Sequence, residues 1–427
     1  MPTTPSLLRR TVVPLVLMIA CPPAVILLWM ITAHFDGSVM AFLHTIDLPT
    51  FLRLFPRPTL SAASMLATFA ALEWALLVAL PGDIHLGPIT PAGNRPRYRK
   101  NGMAAYVATH ALLGAAALLG VFRPAAVHDE LGSILVITNL AGLVLCAVLY
   151  WKGVHHPSST DAGKSGNVIF DYFWGVELHP TAFGVSLKQY VNCRLAMMGW
   201  SVIVLSCLAK QYEVEHRVSA AMAVSVALQI VYIVKFFWWE TGYFGSLDIM
   251  HDRFGFYIVW GVLCWLPCLY TLVAQYLVNH PGQLSTPAAI AVFLFGIAAI
   301  FANYDADAQR QRVRETGGET TVWGRRPEIL VARYVTTRGE EQESLLLCSG
   351  WWGVSRHFHY VAEIALALAW TLPAGFSHLL PYGYVAFLTA LLVDRAGRDD
   401  RRCRAKYGDM WDRYCDRVRY RIVPFVY

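Results

Sequence analysis

The protein has 427 residues, of which 56% are hydrophobic and only 15% are charged, and its mean hydropathy is +0.44. A soluble domain carries about 25% charged residues, so this composition excludes an ordinary soluble protein, a disordered chain and a disulfide-rich scaffold. The net charge is only +6, which favours a local role of the basic residues, in membrane topology or in binding an anionic cofactor, over a nucleic-acid partner.

Ten apolar stretches have about the length that a helix needs to cross a bilayer, which is about 20 residues. They are roughly 12–34, 58–81, 104–121, 132–151, 194–211, 218–239, 255–278, 284–303, 360–378 and 380–394. The sequence therefore predicts an all-α, polytopic integral membrane protein with about ten transmembrane helices. The last two stretches are the weakest, because Pro373 and Pro381 interrupt them. They form either two separate spans or one re-entrant pair.

The distribution of basic residues predicts the orientation, because cytoplasmic loops of membrane proteins are enriched in Lys and Arg. With Arg9 and Arg10 in the cytoplasm, the basic segments 95–100, 305–358 and 395–427 also fall on the cytoplasmic side. The segment 305–358 contributes Arg310, Arg312, Arg314, Arg325, Arg326, Arg333, Arg338 and Arg356. The opposite side receives only Arg53, Arg57, Arg123 and Arg217. We therefore expect an even number of spans with both termini cytoplasmic.

Common motifs of soluble enzymes and metal sites are missing from the sequence. It contains no G-x-G-x-x-G, and Gly163-Lys164-Ser165 lacks the first glycine of a P-loop, since Ser158 stands at that position. There is no H-E-x-x-H, and His357 and His359 would not share a face of one helix. The nine cysteines include no C-x-x-C pair, so we expect neither a disulfide framework nor a metal.

Four charged residues fall within or beside the apolar stretches, namely Glu73, Lys235, Glu240 and Glu363. Charge at membrane depth is costly and often marks a functional site. The alternative is internal pairing or snorkelling to the interface, which explains Lys235 at least as well. Glu240 begins the segment 240–253, which places five ionisable residues between two aromatic spans. This segment either contacts the substrate or is only a connecting loop, and the sequence does not decide between the two roles.

The C-terminal third mixes glycine, aromatic and basic residues in the segments 349–360 and 394–415. Arginine binds phosphate in a bidentate manner and stacks on aromatic rings. The pattern therefore suits a phosphorylated aromatic cofactor such as a nicotinamide dinucleotide. The alternative is a basic tail held at anionic lipid headgroups.

Motifs in this region resemble the sterol reductase family, which includes sterol Δ14-reductases, the lamin B receptor and sterol Δ7-reductases. The motifs are Trp323-Gly324-Arg325-Arg326-Pro327, 349–360 and 398–427. The segments 235–240, 248–253 and 275–281 are most similar to the Δ7 branch, and 356–364, 394–396 and 419–422 to plant-type Δ7-reductases. The resemblance covers nearly the whole chain. It implies an all-helical fold of about ten spans, NADPH as cofactor and a sterol as substrate.

The resemblance also implies which residues hold NADPH, in a pocket on the cytoplasmic side of the C-terminal half. Arg310 and Arg314 are the expected phosphate-side cations, and Arg356 and Arg395 are further phosphate or structural partners. The other expected pocket residues are Leu347, Trp352, His359, Tyr360, Asp399, Cys403, Arg404, Ala405, Lys406, Tyr407 and Tyr414. Residues 1–192 are expected to form a transmembrane scaffold and 193–427 the catalytic half, within one integrated domain.

The chain departs from the family pattern at three positions. Many members have Lys where this chain has Arg310, several have Asn at the position of His359, and the early E-L-x-P-R motif ends here in Thr181. The positive charge at position 310 is retained, so phosphate binding should be retained as well. The role of the loop at 177–181 is left open.

An isolated ring double bond must be protonated before it accepts hydride, so the site needs a proton donor in a dry cavity and a fixed nicotinamide. Tyr414 with Asp399 is the expected donor pair, because a buried phenol needs a polar partner. Glu240, Asp248 and Asp252 are rival donors.

The resemblance favours NADPH-dependent reduction of the C7–C8 double bond of a Δ5,7-sterol. The alternatives are Δ14-sterol reduction on the same fold, an isoprenylcysteine-type membrane methyltransferase, which shares an R-H-x-x-Y pattern, and a non-enzymatic scaffold. The expected location is the endoplasmic reticulum membrane in a eukaryote and the inner membrane in a bacterium.

Overall fold

The computed structural model describes residues 7–335, 339 and 341–427, so Arg338 of the basic segment lies outside the described residues. A helix is found at each of the ten predicted apolar stretches, which confirms the all-α, polytopic membrane fold. These helices are Leu8–His34, Leu60–Ala79, Gly102–Leu118, Leu131–His155, Gln189–Glu215, Ala220–Trp238, Phe256–Asn279, Thr286–Glu315, Phe358–Thr371 and Gly383–Tyr407.

Seven of the described helices are long and apolar enough to cross a membrane, whereas Gly102–Leu118 and Phe358–Ala374 are apolar but shorter. The tenth, Gly383–Tyr407, is apolar only in its first half, because Asp394 begins a charged stretch. A 3₁₀ turn at Leu372–Ala374 and another at Leu380–Tyr382 separate the last two helices. The number of spans, and the choice between two spans and a re-entrant pair, stay predictions.

Local sequence signals set several helix ends. Thr59 Oγ1 accepts a hydrogen bond from Ala62 N at 3.0 Å, and Ser219 Oγ accepts one from Met222 N at 3.1 Å, so both residues cap helix N-termini. Pro267 lies within Gly261–Tyr270, which is π-helical. Proline removes one backbone donor from the helix, which is consistent with the irregular hydrogen bonding there.

The connections contain shorter elements. The short helices are Val39–Thr45, Leu48–Leu54, Ala126–Asp129, Val168–Trp174, Glu240–Phe244, Leu247–Met250, Trp351–Val354 and Asp409–Arg417. Three antiparallel hairpins pair Asp83–Leu86 with Arg97–Lys100, Thr181–Ala182 with Val185–Ser186, and Ile329–Val335 with Glu341–Leu347. In the last hairpin Ile329 is opposite Leu347. The sequence analysis predicted none of these strands.

The chain groups into two compact units. The first comprises the residues up to Thr90, Asn94–Gln283 and Phe376–Pro381, and the second comprises Pro91–Gly93, Leu284–Gly375 and Tyr382–Tyr427. The first unit is built around fully buried side chains such as Trp200, Phe244 and Leu131. The expected division of the chain into a scaffold, residues 1–192, and a catalytic half, residues 193–427, rests on function rather than on compactness. It stays a prediction.

Each of the four charged residues in or beside the apolar stretches has a partner inside its own unit. The partners are the Thr109 hydroxyl for Glu73 at 2.5 Å, the Tyr232 ring for Lys235 at 4.6 Å, the Arg194 guanidinium for Glu240 at 2.5 Å and the Asn303 amide for Glu363 at 2.8 Å. Each of these charges thus has an internal contact, and whether any of them also has a functional role stays a prediction.

Candidate active site

The predicted cofactor residues all belong to the second unit, where several elements bring them together. Arg310 and Arg314 lie in the last turns of Thr286–Glu315, Leu347 ends the hairpin strand, and Trp352 lies in the short helix Trp351–Val354. The others come from the start of Phe358–Thr371, the second half of Gly383–Tyr407 and the helix Asp409–Arg417. These elements pack against one another, so residues distant in sequence become neighbours.

Arg310 stands at the centre of this group. Its guanidinium donates to Asp307 Oδ1 at 3.0 Å and lies 4.4 Å from the centre of the Trp352 ring. The indole N–H of Trp352 donates to the carbonyl oxygen of Ala306 at 2.6 Å, which fixes the ring beside the arginine. A guanidinium held over an aromatic ring keeps part of its donor edge available for an anion.

Arg314 lies one turn further along the same helix and is exposed. Within the part of the chain that the structure describes, its side chain has no hydrogen bond or ion pair. Arg310 and Arg314 are four residues apart, so they lie on the same side of the helix. The helix therefore presents two neighbouring cations, of which one has a carboxylate partner.

Two buried histidines lie beside these cations. The helix begins at Phe358, so His357 precedes it, and the His357 and His359 ring centres lie 5.8 Å apart. The His357 ring stacks on Tyr360 with centres 5.0 Å apart and an interplanar angle of 7°. His357 Nε2 and His359 Nδ1 are buried and have no hydrogen-bond partner among the described residues. Buried polar atoms are normally satisfied, so these two atoms indicate a site for a polar ligand.

The ionisation of His357 follows from its surroundings. Burial, the neighbouring His359 and the charges of Arg310 and Arg356 lower the pKa of His357 to about 3, against the smaller opposite effect of Asp399. The His357 ring is therefore neutral near pH 7, and its Nε2 atom lies 3.7 Å from Asp399 Oδ2.

Asp399 forms an ion pair with Arg402 and accepts a hydrogen bond from Cys403 Sγ at 3.8 Å. Burial acts to raise the pKa of Asp399, but the charges of Arg402 and Arg310 are among the effects that together bring it below its usual value. Asp399 is therefore an ionised carboxylate. It can hold a proton donor in place, but it is not itself a source of protons at neutral pH.

The structure corrects the expected pairing of Tyr414 with Asp399. No hydrogen bond joins these two residues in the described structure, since Arg402 and Cys403 of its own helix engage the Asp399 carboxylate. Tyr414 is 4% exposed, and its ring centre lies 5.1 Å from that of Trp411. It packs in an apolar cluster with Ala332, Leu346, Cys348, Cys403, Trp411 and Val418.

Burial raises the pKa of Tyr414, so the phenol keeps its proton at neutral pH. Arg356, Arg310 and Arg314 all act in the opposite direction, because their positive charges favour the phenolate. Tyr414 is thus a protonated phenol next to cations that would stabilise the anion left after proton transfer.

The stretch from Cys403 to Tyr407 divides between helix faces. Cys403 is buried, and Tyr407 donates from its hydroxyl to Ser344 Oγ at 3.2 Å. Lys406 Nζ lies 3.7 Å from the centre of the Tyr334 ring. Arg404 and Ala405 lie on the exposed face, where Arg404 pairs with Asp412 at 2.5 Å. The place of Arg404 and Ala405 in a cofactor pocket stays a prediction.

Leu347 is buried in a second apolar cluster, with Val313, Val322 and Trp352. This cluster supports the indole of Trp352 from the side of the hairpin. Arg356 donates from Nη1 to the carbonyl oxygens of Val418 at 2.7 Å and Arg419 at 3.1 Å. Of the two roles expected for Arg356, the structure therefore shows the structural one.

Glu240 belongs to the first unit and is 2% exposed. It accepts hydrogen bonds from Arg194 Nη1 at 2.5 Å and Nη2 at 3.2 Å and from Gly102 N at 3.1 Å. The two oxygens of this carboxylate are therefore occupied by Arg194 and by the backbone of Gly102. This geometry favours a structural role, and a catalytic role of Glu240 stays a prediction.

Two buried cations, Arg194 and Lys188, were not predicted from the sequence. Arg194 begins the apolar stretch 194–211, and Lys188 precedes it. Lys188 Nζ donates to the carbonyl oxygens of Asp248 at 2.9 Å and Ile249 at 2.8 Å and to that of Asp252. The signal that was available is the polar start of the helix Gln189–Glu215, which is unusual at the end of a membrane span.

The described residues include no group of three or more His, Cys, Asp or Glu side chains that could hold a metal ion. A surface depression of about 400 Å³ is lined by Gly318, Glu319, Thr320, Thr321 and Arg326. It contains none of the predicted site residues, so we do not assign the cofactor to it.

Several known proteins are similar to this chain over most of its length. A 7-dehydrocholesterol reductase of Arabidopsis thaliana is 49% identical over 411 residues, which cover 95% of both chains. A 7-dehydrocholesterol reductase of Xenopus laevis is 38% identical over 346 residues, covering 80% of this chain and 73% of that protein. A Delta(14)-sterol reductase of Methylotuvimicrobium alcaliphilum is 35% identical over 416 residues, covering 97% and 94%.

The model of the ergosterol biosynthesis ERG4/ERG24 family matches residues 11–427, which is nearly the whole chain. The resemblance in the sequence motifs, the helical membrane fold and the comparisons agree. The protein belongs to the ERG4/ERG24 family of sterol reductases.

Proposed function

We propose that this protein reduces the C7–C8 double bond of a Δ5,7-sterol and uses NADPH as the hydride source. The observation that carries the proposal is the convergence of Arg310, Trp352, His357, His359 and Tyr414 in one unit of a sterol reductase. Among the relatives above, the one with the highest identity is named a 7-dehydrocholesterol reductase, which favours the Δ7 reaction.

The residues present fit a nicotinamide dinucleotide. Two adjacent cations, one without a partner in the described structure, suit its phosphates, and Trp352 and Tyr360 offer aromatic faces. The unpartnered His357 Nε2 and His359 Nδ1 atoms offer hydrogen bonds to its polar groups. When bound, NADPH would supply the hydride that the double bond requires.

In the proposed mechanism the Tyr414 hydroxyl gives its proton to one carbon of the double bond. The π electrons form the new C–H bond, and positive charge develops on the tertiary carbon, which is the carbon that the hydride of a bound NADPH would reduce. Arg310, Arg314 and Arg356 stabilise the phenolate of Tyr414, which regains a proton from water only after the product has left. The apolar cluster around Tyr414 excludes solvent and protects the cation from capture by water.

Δ14-sterol reduction is the second candidate, because the Delta(14)-sterol reductase relative covers the chain almost completely. The proposed residues would serve either reaction, since both reduce a ring double bond by proton and hydride addition. The methyltransferase alternative is not supported, because a single sterol reductase model matches residues 11–427. We also propose an endoplasmic reticulum location in a eukaryote, or the inner membrane in a bacterium, with both termini cytoplasmic.

The test is to offer the purified protein a Δ5,7-sterol and a Δ8,14-sterol separately, each with NADPH or NADH. We expect loss of the conjugated 5,7-diene absorbance with NADPH, and a product that mass spectrometry shows to be two hydrogens heavier. Turnover of the Δ8,14-sterol alone would replace the proposal by Δ14 reduction. Equal rates with NADH would contradict the choice of cofactor.

A further inference from the structure

One β-hairpin of the first unit combines apolar and basic side chains on the same face. In this hairpin, Ile84 is opposite Arg99, and Leu86 is opposite Arg97. Directly opposite residues of an antiparallel pair point to the same side, so these four side chains share one face. Ile84 is 45% exposed and Leu86 is 50% exposed. This amphipathic outer face is unusual for an exposed hairpin, whose outer side is normally polar.

The other face of the hairpin is anchored to the protein. Tyr98 is buried and stacks on Phe244 with ring centres 4.4 Å apart, and His85 lies 5.6 Å from the same ring. The strand edge is also fixed, because the Gln189 amide donates to the carbonyl oxygen of Arg99 at 2.6 Å and accepts from its N–H at 3.1 Å. The orientation of the outer face is therefore set by the fold.

The cations of this hairpin have no acidic partners. Arg95, Arg97, Arg99 and Lys100 form no ion pair with any residue that the structure describes, although four positive charges occur within six positions. Arg123, by comparison, pairs with both Asp129 and Glu213. The hairpin thus carries an unbalanced local charge that an external anion can neutralise.

The hairpin must lie at the level of the lipid headgroups. Only residues 80–82 separate its first strand from the end of the membrane helix Leu60–Ala79, and Asn101 alone separates its second strand from the helix Gly102–Leu118. A few residues of chain cannot carry the hairpin far from the ends of both helices.

A neighbouring hairpin supports this depth. Phe183 at its tip is 96% exposed, and its ring centre lies 6.4 Å from that of Trp74 in the helix Leu60–Ala79. Phe183 has a positive φ of 51°, which is uncommon for a bulky residue and holds the ring at the tip. An aromatic ring placed outward near the end of a membrane helix is typical of the bilayer interface.

We propose that the outer face of the paired strands Asp83–Leu86 and Arg97–Lys100, together with Phe183, binds the headgroups of anionic phospholipids. Ile84, Leu86 and Phe183 enter the acyl boundary, while the positive charges of Arg97 and Arg99 attract the lipid phosphates. This surface is separate from sterol reduction, so the proposal holds whether or not the proposed function does.

The experiment uses the full-length protein in mixed micelles of phosphatidylglycerol and phosphatidylcholine. After gel filtration, mass spectrometry measures how much phosphatidylglycerol and how much phosphatidylcholine remain bound to the protein. A basic residue beside an anionic surface contributes about fivefold in affinity. The double variant Arg97→Gln/Arg99→Gln should therefore lower the preference for phosphatidylglycerol at least fivefold. Arg53→Gln/Arg57→Gln, at the opposite end of the helix Leu60–Ala79, is the matched control and should keep it.

An unchanged lipid ratio in the hairpin variant, or an equal loss in the control variant, would overturn the proposal. Displacement of phosphatidylglycerol by millimolar inorganic phosphate would also overturn it, because the site would then bind a free anion. The thermal midpoint in pure phosphatidylcholine micelles checks that the variant folds. If the Gln variant does not fold, Arg97→Lys/Arg99→Lys is used instead. This variant keeps both positive charges and should retain the preference for phosphatidylglycerol. Loss of that preference in the Lys variant would contradict the assignment of lipid binding to these two charges.

Discussion

Replacing both Arg310 and Arg314 by alanine should raise the KM for NADPH at least tenfold. A hydrogen bond to a charged group contributes about 1.5–3 kcal/mol, and about 1.4 kcal/mol corresponds to a factor of ten. One lost phosphate contact therefore predicts an increase of about 10- to 150-fold, and two lost contacts predict more. If the 2′-phosphate is the partner, the preference for NADPH over NADH should narrow as well.

The same substitution should have little effect on stability. Arg310 pairs with Asp307 on its own helix, and its side chain is 34% exposed. Such a pair contributes about 0.3–0.5 kcal/mol after solvent screening, and the contact with Trp352 contributes about 0.5–1 kcal/mol. Arg314 has no partner among the described residues. The expected loss is thus about 1–1.5 kcal/mol, which is too small to unfold the protein and mimic a binding defect.

The assay measures initial rates at saturating sterol while NADPH or NADH is varied. Arg312→Ala is the matched control, because Arg312 lies on the same helix, is 55% exposed and pairs only weakly with Asp305 at 3.5 Å. It should keep the wild-type KM. An unchanged KM in the double variant, with normal expression, would remove both arginines from the cofactor site.

Four further predictions follow from the structure and the sequence. Tyr414→Phe should lower turnover by a factor of about 10²–10⁴, while its affinity for NADPH stays within a few-fold of the wild-type value. Tyr420→Phe is the control and should keep normal turnover. A near-normal rate of loss of the diene absorbance in Tyr414→Phe would discard Tyr414 as the proton donor. Glu240→Gln should destabilise the protein by about 3–5 kcal/mol, because it leaves the buried Arg194 without its counter-charge, and normal activity per folded molecule would exclude Glu240 from catalysis. Acid should destabilise the fold through His357, whose pKa is lowered to about 3 in the folded state. The contribution of His357 to the free energy of unfolding is constant above pH about 6.5 and falls by up to about 1.4 kcal/mol per pH unit between pH 6.5 and 3. The thermal midpoints at pH 7.0 and 5.5 should therefore differ less in His357→Gln than in the wild type. Reporter fusions should place residues 97 and 427 on the same side of the membrane, and opposite sides would refute the predicted topology.

Hydropathy alone located the helix at each of the ten apolar stretches, because the bilayer requires apolar residues over the length of each span. The predicted stretch 132–151, for example, corresponds to Leu131–His155. Hydropathy placed the start of the next span at residue 194, but the helix Gln189–Glu215 begins earlier. Its first residues are polar and are satisfied by distant partners, as when Gln189 bonds to Arg99. A hydropathy profile contains no information about such partners.

The short hairpins were missed for a related reason. Tyr98 is held by stacking on Phe244, which is far away in sequence, so no local pattern marks its strand. In the site, motif resemblance selected residues that do lie together, such as Arg310 and Trp352. It did not predict hydrogen bonds correctly, since Arg402 occupies the carboxylate expected for Tyr414. Side-chain pairing depends on the relative positions of several helices, which one sequence does not specify.

The buried pair of Arg194 and Glu240 constrains the order of membrane assembly. The two residues are 46 positions apart in the chain. At about 5–20 residues per second, a ribosome takes roughly 2–9 s to make the intervening segment. During that time the helix carrying Arg194 enters the bilayer without its Glu240 partner, and an unpaired arginine costs about 2.5–3.5 kcal/mol at the middle of a span and less near its end. Its stable insertion therefore waits for the following span, so these helices should be integrated as a group rather than one by one.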